Sequence, residues 1–264
     1  MSWEDSVKEW QDYADLDFNL KKELATLAED KDALKEAFYA PMEFGTAGMR
    51  GVMGPGINRM NIYTVRQATE GLANFMDTLD FTDKKRGVAI SFDSRYHSQE
   101  FALAAAGVLG KHGIPSFVFD SMRPTPELSY TVRELNTYAG IMITASHNPK
   151  QYNGYKIYGP DGGQMPPMES DKITEYIRQV TDIFGVEALT QSELRAKGLM
   201  TIIGEDIDLK YLEEVKTVSI NHELIQRFGA DMKLIYSPLH GTGKVVGGRA
   251  LENAGFKDYT MVPE

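Results

Sequence analysis

The stretch TASHNPKQYNGYKIYGPDGG, Thr144 to Gly163, puts a serine, a histidine, an Asn-Pro turn and two lysines just after an apolar run. Asn-Pro favours turn initiation, so part of this pattern is turn chemistry. A serine there could also be a nucleophile. Acyl transfer at a strand-to-helix elbow calls for G-x-S-x-G, and the residues around Ser146 lack both glycines. Phosphoryl transfer asks instead for positioning and neutralised charge, which a serine beside basic groups can supply. Two such groups are Arg50, in GTAGMRG, and Lys156, in NGYK. An arginine fork grips phosphate in a bidentate manner, and a lysine acts as a point charge that can also shuttle a proton. Either residue alone reads equally as a solvated surface charge, but the flanking glycines would let the backbone approach a ligand. His147 fits a proton carrier near neutral pH, or an orienting hydrogen-bond partner.

Two tempting motifs fail on spacing. Gly241-Thr242-Gly243-Lys244 has Pro238 where a phosphate-binding loop of the G-x-x-x-x-G-K-[ST] type needs glycine, and Val245 where it needs Ser or Thr. The five histidines form no cluster with zinc-ligand spacing.

The elements that must hold these residues follow from hydrophobic pattern. GVAISFD (87–93), PSFVFD (115–120) and AGIMITA (139–145) read as near-continuous apolar strands, with helices over about 98–111 and 126–135 between them. That alternation predicts parallel β-α-β units covered on both faces. Ligands of such sheets sit outside the carboxyl ends of the strands. The residues just past those ends are Asp93-Ser94-Arg95, Ser121-Met122-Arg123 and Ser146-His147-Asn148. YKIYG reads as a further strand and residues 166–180 as a helix. The acidic leader, residues 1–43, reads as short helices packed on the main domain, with Ser2 and Asp5 as a capping box. Residues 44–205 make the main domain. A second α/β unit opens near Asp206, with a strand at 232–239, a glycine-rich turn at 240–248 and a helix from Arg249. Only its opening is present, so the chain reads as truncated.

Composition narrows the class. The chain has 264 residues, 42% hydrophobic and 25% charged, an ordinary globular balance. There is no cysteine, which excludes disulfides, zinc-thiolate sites and a cysteine nucleophile. A net charge of −10 argues against a nucleic-acid or anionic-membrane binder. No signal peptide or membrane-length apolar run is seen, so the expected location is cytoplasmic. The sequence is silent on oligomeric state.

TASHNP followed by YNGYKI resembles the phosphoserine loop of the α-D-phosphohexomutase superfamily. GTAGMRG (45–51), DSR (93–95), PTP (124–126) and SPLHGTG (237–243) match other motifs of that family in order. The GTAGMRG form, the helical leader and RMN (59–61) resemble the branch of bacterial phosphoglucomutases and phosphopentomutases. The resemblance implies a mixed, mostly parallel α/β domain I followed by the start of a similar second domain. It implies that phosphorylated Ser146 passes its phosphoryl group to glucose 1-phosphate, through a glucose 1,6-bisphosphate intermediate, and takes the other one back. Arg50, Lys156, Asn148 and Thr46 would contact phosphate or substrate, with His147 and Lys156 as candidates for proton transfer. Asp93 and Arg95 would brace the loop. Mg2+ would bind Ser146 through its phosphate, its remaining ligands belonging to a D-G-D-x-D-R loop that is not found in this sequence. These residues alone are therefore expected to have negligible mutase activity. Rival readings are phosphopentose or phosphomannose specificity, a non-catalytic regulatory fragment of the same fold, and, more distantly, a hydrolase using Ser146 and His147.

Overall fold

The structure, a computed structural model, describes residues 2–45 and 48–263. The leader folds as α1 (Trp3–Asp12), α2 (Phe18–Leu27) and α3 (Lys31–Phe38), and the Ser2–Asp5 capping box opens α1. Trp10 anchors it. The indole is wholly buried and meets Phe38, Tyr63 and Phe184 edge-on at ring separations of 5.4–5.6 Å, the geometry that aromatic quadrupoles favour.

The elements that follow are β1 (Met49–Val52), α4 (Ile62–Met76), α5 (Phe81–Arg86), β2 (Val88–Phe92), α6 (Ser98–Lys111), β3 (Ser116–Phe119), α7 (Thr125–Glu134), β4 (Ala139–Ile143) and β5 (Tyr152–Tyr158). Next come α8 (Pro167–Gln179), α9 (Gln191–Ala196), β6 (Met200–Ile203), α10 (Glu205–Lys216), α11 (His222–Phe228), β7 (Leu234–Tyr236), α12 (Gly243–Ala254) and β8 (Tyr259–Met261). Six strands form one sheet in the order β1-β5-β4-β2-β3-β6. β4, β2, β3 and β6 run parallel, and β5 is antiparallel to both its neighbours. β7 and β8 make a separate parallel pair. The fold is thus the mixed, mostly parallel α/β architecture expected.

The side-chain period of two sorts each strand between two layers. Val88, Ile90, Ile141, Ile143, Tyr155 and Ile157 join one core with α4, α6 and α8. Ala89, Met142 and Tyr158 face the other way, onto Leu128 and Val132 of α7. α6 and α7 therefore cover opposite faces. The chain steps from β2 outward to β3, then crosses back to β4 on the other side of β2. The strand order reverses between β2 and β4, and the crevice at their carboxyl ends is where such a sheet offers a ligand site.

Several elements differ from the sequence reading. TDKKR, whose run of charges reads as a turn in the sequence, is a helix, because Asp80 caps it. β1 and α11 were not anticipated, and α10 starts at Glu205, ahead of the helical pattern LKYLEEVKTVS (209–219) in the sequence. The glycines of HGTGKVVGG serve a helix more than a turn. α12 begins at Gly243, and a Cβ at Gly243 or Gly247 would lie within 2.4 Å of the Tyr236 hydroxyl, so these glycines let β7 and α12 approach. Among the described residues, no helix is long and apolar enough to cross a membrane.

Candidate active site

The carboxyl ends of β2 and β4 meet through Asp93. Its Oδ2 accepts a short 2.5 Å hydrogen bond from Thr144 Oγ1, and its Oδ1 accepts from the Arg95 backbone N–H (3.0 Å) and Ser98 Oγ (2.9 Å). Thr144 Oγ1 in turn accepts the Ser146 backbone N–H at 2.9 Å. The backbone just before Ser146 is thereby tied to the neighbouring strand, and Ser146 itself adopts the left-handed conformation at φ 56°. A β-carbon there costs about 1–2 kcal/mol relative to right-handed backbone, so the surroundings must enforce it.

Arg95 enforces it. The guanidinium donates to four backbone carbonyls of the loop: Ser146 (2.8 Å), Asn148 (2.7 Å), Pro149 (2.9 Å) and Tyr152 (3.0 Å). Asp93 Oδ2 lies 3.3 Å from its Nε and fixes the fork's orientation. On the far side of the loop, Asn153 Nδ2 donates to the Tyr96 carbonyl and to Ser98 Oγ, both at 3.0 Å. Gly154 closes the base. A Cβ on it would lie 2.6 Å from the Thr144 carbonyl and 2.9 Å from that of Met49, so the three strands can draw together only on glycine.

Ser146 and its neighbour His147 stand exposed on this frame, with His147 Nδ1 3.3 Å from Ser146 Oγ. Arg50 on β1 reaches the same loop and donates from Nη1 to Asn148 Oδ1 at 2.9 Å. Strand alternation places Arg50 and Lys156 on one face: Met49 pairs with Tyr155 and belongs with it to the α4 core, so the residues that follow each point the opposite way. On that face α7 covers β2 and β4, whereas β5 and β1 lie at the margin. Lys156 lies within β5, opposite Met142, in the strand expected from YKIYG, and among the described residues its side chain has no hydrogen-bond or ion-pair partner. Thr46, the remaining candidate for phosphate contact, lies outside the described residues.

An open cleft of about 620 Å³ runs past Asp93, Ser94, Arg95, Asp120 and Ser121, beside the loop. A more enclosed cavity of about 260 Å³ lies between α2 and the Tyr96–His97 turn and touches none of Ser146, Arg50 or Lys156. Ser94 Oγ donates to the His240 carbonyl at 2.8 Å, which brings the loop before α12 to the end of β2. Among the described residues, no three carboxylate or imidazole side chains converge to hold a metal ion. The donor set of these residues does not by itself fit magnesium, which asks for near-octahedral oxygen coordination.

Thr144, Ser98 and Asn153 were not singled out from sequence. Thr144 and Asn153 lie inside the quoted motif and were legible as its polar flanks. The sequence model of the family described as phosphoglucomutase/phosphomannomutase, alpha/beta/alpha domain I, matches residues 41–183. The chain belongs to this family. The matched span includes the whole loop and all its braces within the six-stranded sheet. The chain is 36% identical to a phosphopentomutase of Homo sapiens over 241 residues, 89% of this chain and 38% of the human protein. With a phosphoglucomutase of Staphylococcus saprophyticus it shares 39% identity over 209 residues, 78% of this chain and 36% of the relative. The chain thus spans under half the length of the curated relatives it matches. A crystal structure from Thermus thermophilus, assigned as a phosphomannomutase, superposes with a TM-score of 0.66 at 26% identity, covering 84% of this chain and 46% of that one. The Paramecium phosphoprotein parafusin in its open form shares the fold, with a TM-score of 0.60 at 16% identity over 84% of this chain and 43% of that one.

Proposed function

We propose that this chain is the phosphate-carrying part of a phosphosugar mutase, with Ser146 as the residue that holds the phosphoryl group. The observation that supports this most directly is the loop itself. A serine in left-handed backbone is presented by four Arg95 hydrogen bonds at the switch point of the sheet, with Arg50 on the loop and Lys156 on the same face. An exposed loop is normally free to relax, and one held so completely suits transfer chemistry that depends on positioning.

In the reaction we propose, a hydroxyl of a sugar monophosphate loses its proton to His147 or Lys156. Its oxygen then takes the phosphoryl group as the Ser146 Oγ–P bond breaks, and the leaving Ser146 Oγ takes up a proton in exchange. The resulting bisphosphate turns over and returns its other phosphoryl group to Ser146. Arg50 and Lys156 offset the negative charge, Asn148 orients the Arg50 fork, and Asp93 and Arg95 hold the loop. A magnesium ion would neutralise charge at the transferring phosphate. On this reading its protein ligands, and the grip on the distal phosphate, come from outside these residues. Glucose 1-phosphate is the first choice of substrate, with glucose 1,6-bisphosphate as intermediate. A pentose phosphate is the second, because relatives of both names match this chain at similar identity.

The test is phosphopeptide mapping of the protein isolated from its own cells, followed by comparison of kcat/KM on glucose, pentose and mannose 1-phosphates. Phosphate on Ser146 and turnover of at least one sugar are expected. Phosphate-free Ser146 in protein that turns over none of the three would leave the non-catalytic reading.

A further inference from the structure

The face of α7 that meets α10 buries a carboxyl group that no described donor supports. Glu127 is fully buried, and neither carboxyl oxygen receives an N–H or O–H from any described residue. Beside it lies another carboxyl, that of Asp208 on α10, which is 1% exposed. Two ionised carboxylates in such a place would repel strongly, and an unpaired buried charge is among the most costly groups a fold can carry.

The nearby arginines do not relieve Glu127, because their donors are already engaged. Arg123 directs Nε and Nη2 to the two oxygens of Asp208 (2.8 and 3.0 Å), Nη1 to Ser121 Oγ (2.7 Å) and the Met122 carbonyl (3.1 Å), and lies 3.3 Å from Asp120. Four hydrogen bonds and the Asp120 ion pair thus occupy its guanidinium. Arg249 on α12 places its fork on Glu205 at 2.8 and 2.9 Å and approaches Asp208 only at 3.5 Å. The remaining titratable neighbour is Tyr211 of α10, a neutral phenol whose own pKa is pushed up by burial and by Glu127. Glu127 must therefore bring its own proton.

We infer that Glu127 and Asp208 share one proton, forming a carboxylic acid–carboxylate pair that fastens α10 and α12 onto α7 and loosens when that proton is lost. Burial pushes Glu127 up to about 8, with the Asp208 charge adding to the effect and Arg123 and Arg249 opposing it. Asp208 moves the other way. Burial acts against its charge, but the Arg123 fork and the Glu127 proton outweigh burial and hold it below the ordinary carboxylate value. With α10 undocked, Glu127 meets water and returns towards its ordinary 4.5. Docking thus takes up a proton throughout the interval from 4.5 to about 8. The attachment is firmest at the acid end of that interval and weakens as pH rises through it, by about tenfold in equilibrium constant per pH unit. Above the upper value it levels off. Because α12 follows the loop whose His240 carbonyl receives Ser94 Oγ, the same proton bears on the contact at the end of β2. None of this depends on the reaction proposed above.

The test is amide hydrogen exchange over α10 in the full chain, corrected for the intrinsic pH dependence of exchange. Protection in the wild type is expected to fall about tenfold per unit between roughly pH 6 and pH 8 and then to level. Glu127→Gln, which keeps a neutral donor toward Asp208 but cannot ionise, is expected to show no such slope. A slope that survives in Glu127→Gln, or is missing from the wild type, overturns the proposal. Should the variant not fold, infrared spectroscopy of the wild type decides. A protonated-carboxyl band at neutral pH that fades as pH passes about 8 is required, and its absence overturns the pair.

Discussion

Ser146 combines two properties that ordinary packing does not ask of one residue. It is exposed, and it occupies backbone that disfavours a side chain. Among the described residues its hydroxyl meets only His147, whereas the loop's conformation is held through main-chain atoms by Arg95 and Thr144. The side chain is therefore dispensable to the fold while its position is not. Ser146→Gly relieves the left-handed strain, partly offset by the greater freedom of glycine in the unfolded chain. Urea unfolding should show stability unchanged or raised by up to about 1 kcal/mol, with phosphate incorporation abolished. A loss of more than about 1 kcal/mol would mean that the hydroxyl supports the structure, a role that removing a surface side chain does not usually reveal.

At the scale of elements, α4 and α6 are joined at one end by His112, the C-cap of α6. It contacts Asp77 at 2.6 Å and Glu70 at 3.1 Å, both from the α4 segment. The hydrogen bond to Glu70, with help from Asp77, raises His112 above its ordinary 6.5 despite burial. Burial works against the charge of Asp77, but Lys84 and His112 overcome it and lower its pKa. The His112 contribution to stability is thus complete below 6.5 and is lost as pH rises through the raised value. The Asp77 contribution is lost only in strong acid, as pH falls through its depressed value. Stability curves for the wild type and His112→Gln should converge toward alkaline pH and separate toward about pH 6. Parallel curves would show that the imidazolium contributes nothing. That this bridge exists was not legible in the sequence, because residues 70, 77 and 112 meet only once the helices pack. The parallel strands were legible, since burial on both faces writes continuous apolar runs. β1 was not, because MRGV has little strand pattern of its own and is held by pairing with β5. In the site, Arg50 and Lys156 were legible as basic residues beside glycines, and Ser146 as a polar residue just past an apolar strand. The role of Arg95 was visible only as a motif position, because the backbone carbonyls it collects carry no residue signature.

The molecule as a whole is unevenly secured. The six-stranded sheet has β2 and β4 buried along their entire length between helical layers. The second sheet has two strands of three residues each, and a pair of strands that short is marginal by itself. It is attached through α10 and α12, by the buried Ile207, Leu212 and Val246, by the charged cluster around Asp208, and by the Ser94–His240 contact. Between α10 and α11, residues 217–221 run across the surface, with Ile220 88% exposed. Ile235 on β7 is 82% exposed. Few buried contacts and exposed backbone mark the segments that open at least cost. Limited proteolysis of the native chain should therefore cut first within 217–240, leaving a resistant product that contains Ser146 and all six strands of the main sheet. Because Glu127 weakens the attachment as it ionises, cleavage should accelerate between about pH 7 and pH 8 beyond the change in the protease's own activity on an unfolded substrate. First cuts inside β2–β5, or a cleavage rate indifferent to pH after that correction, would show that the two sheets open together as one cooperative unit.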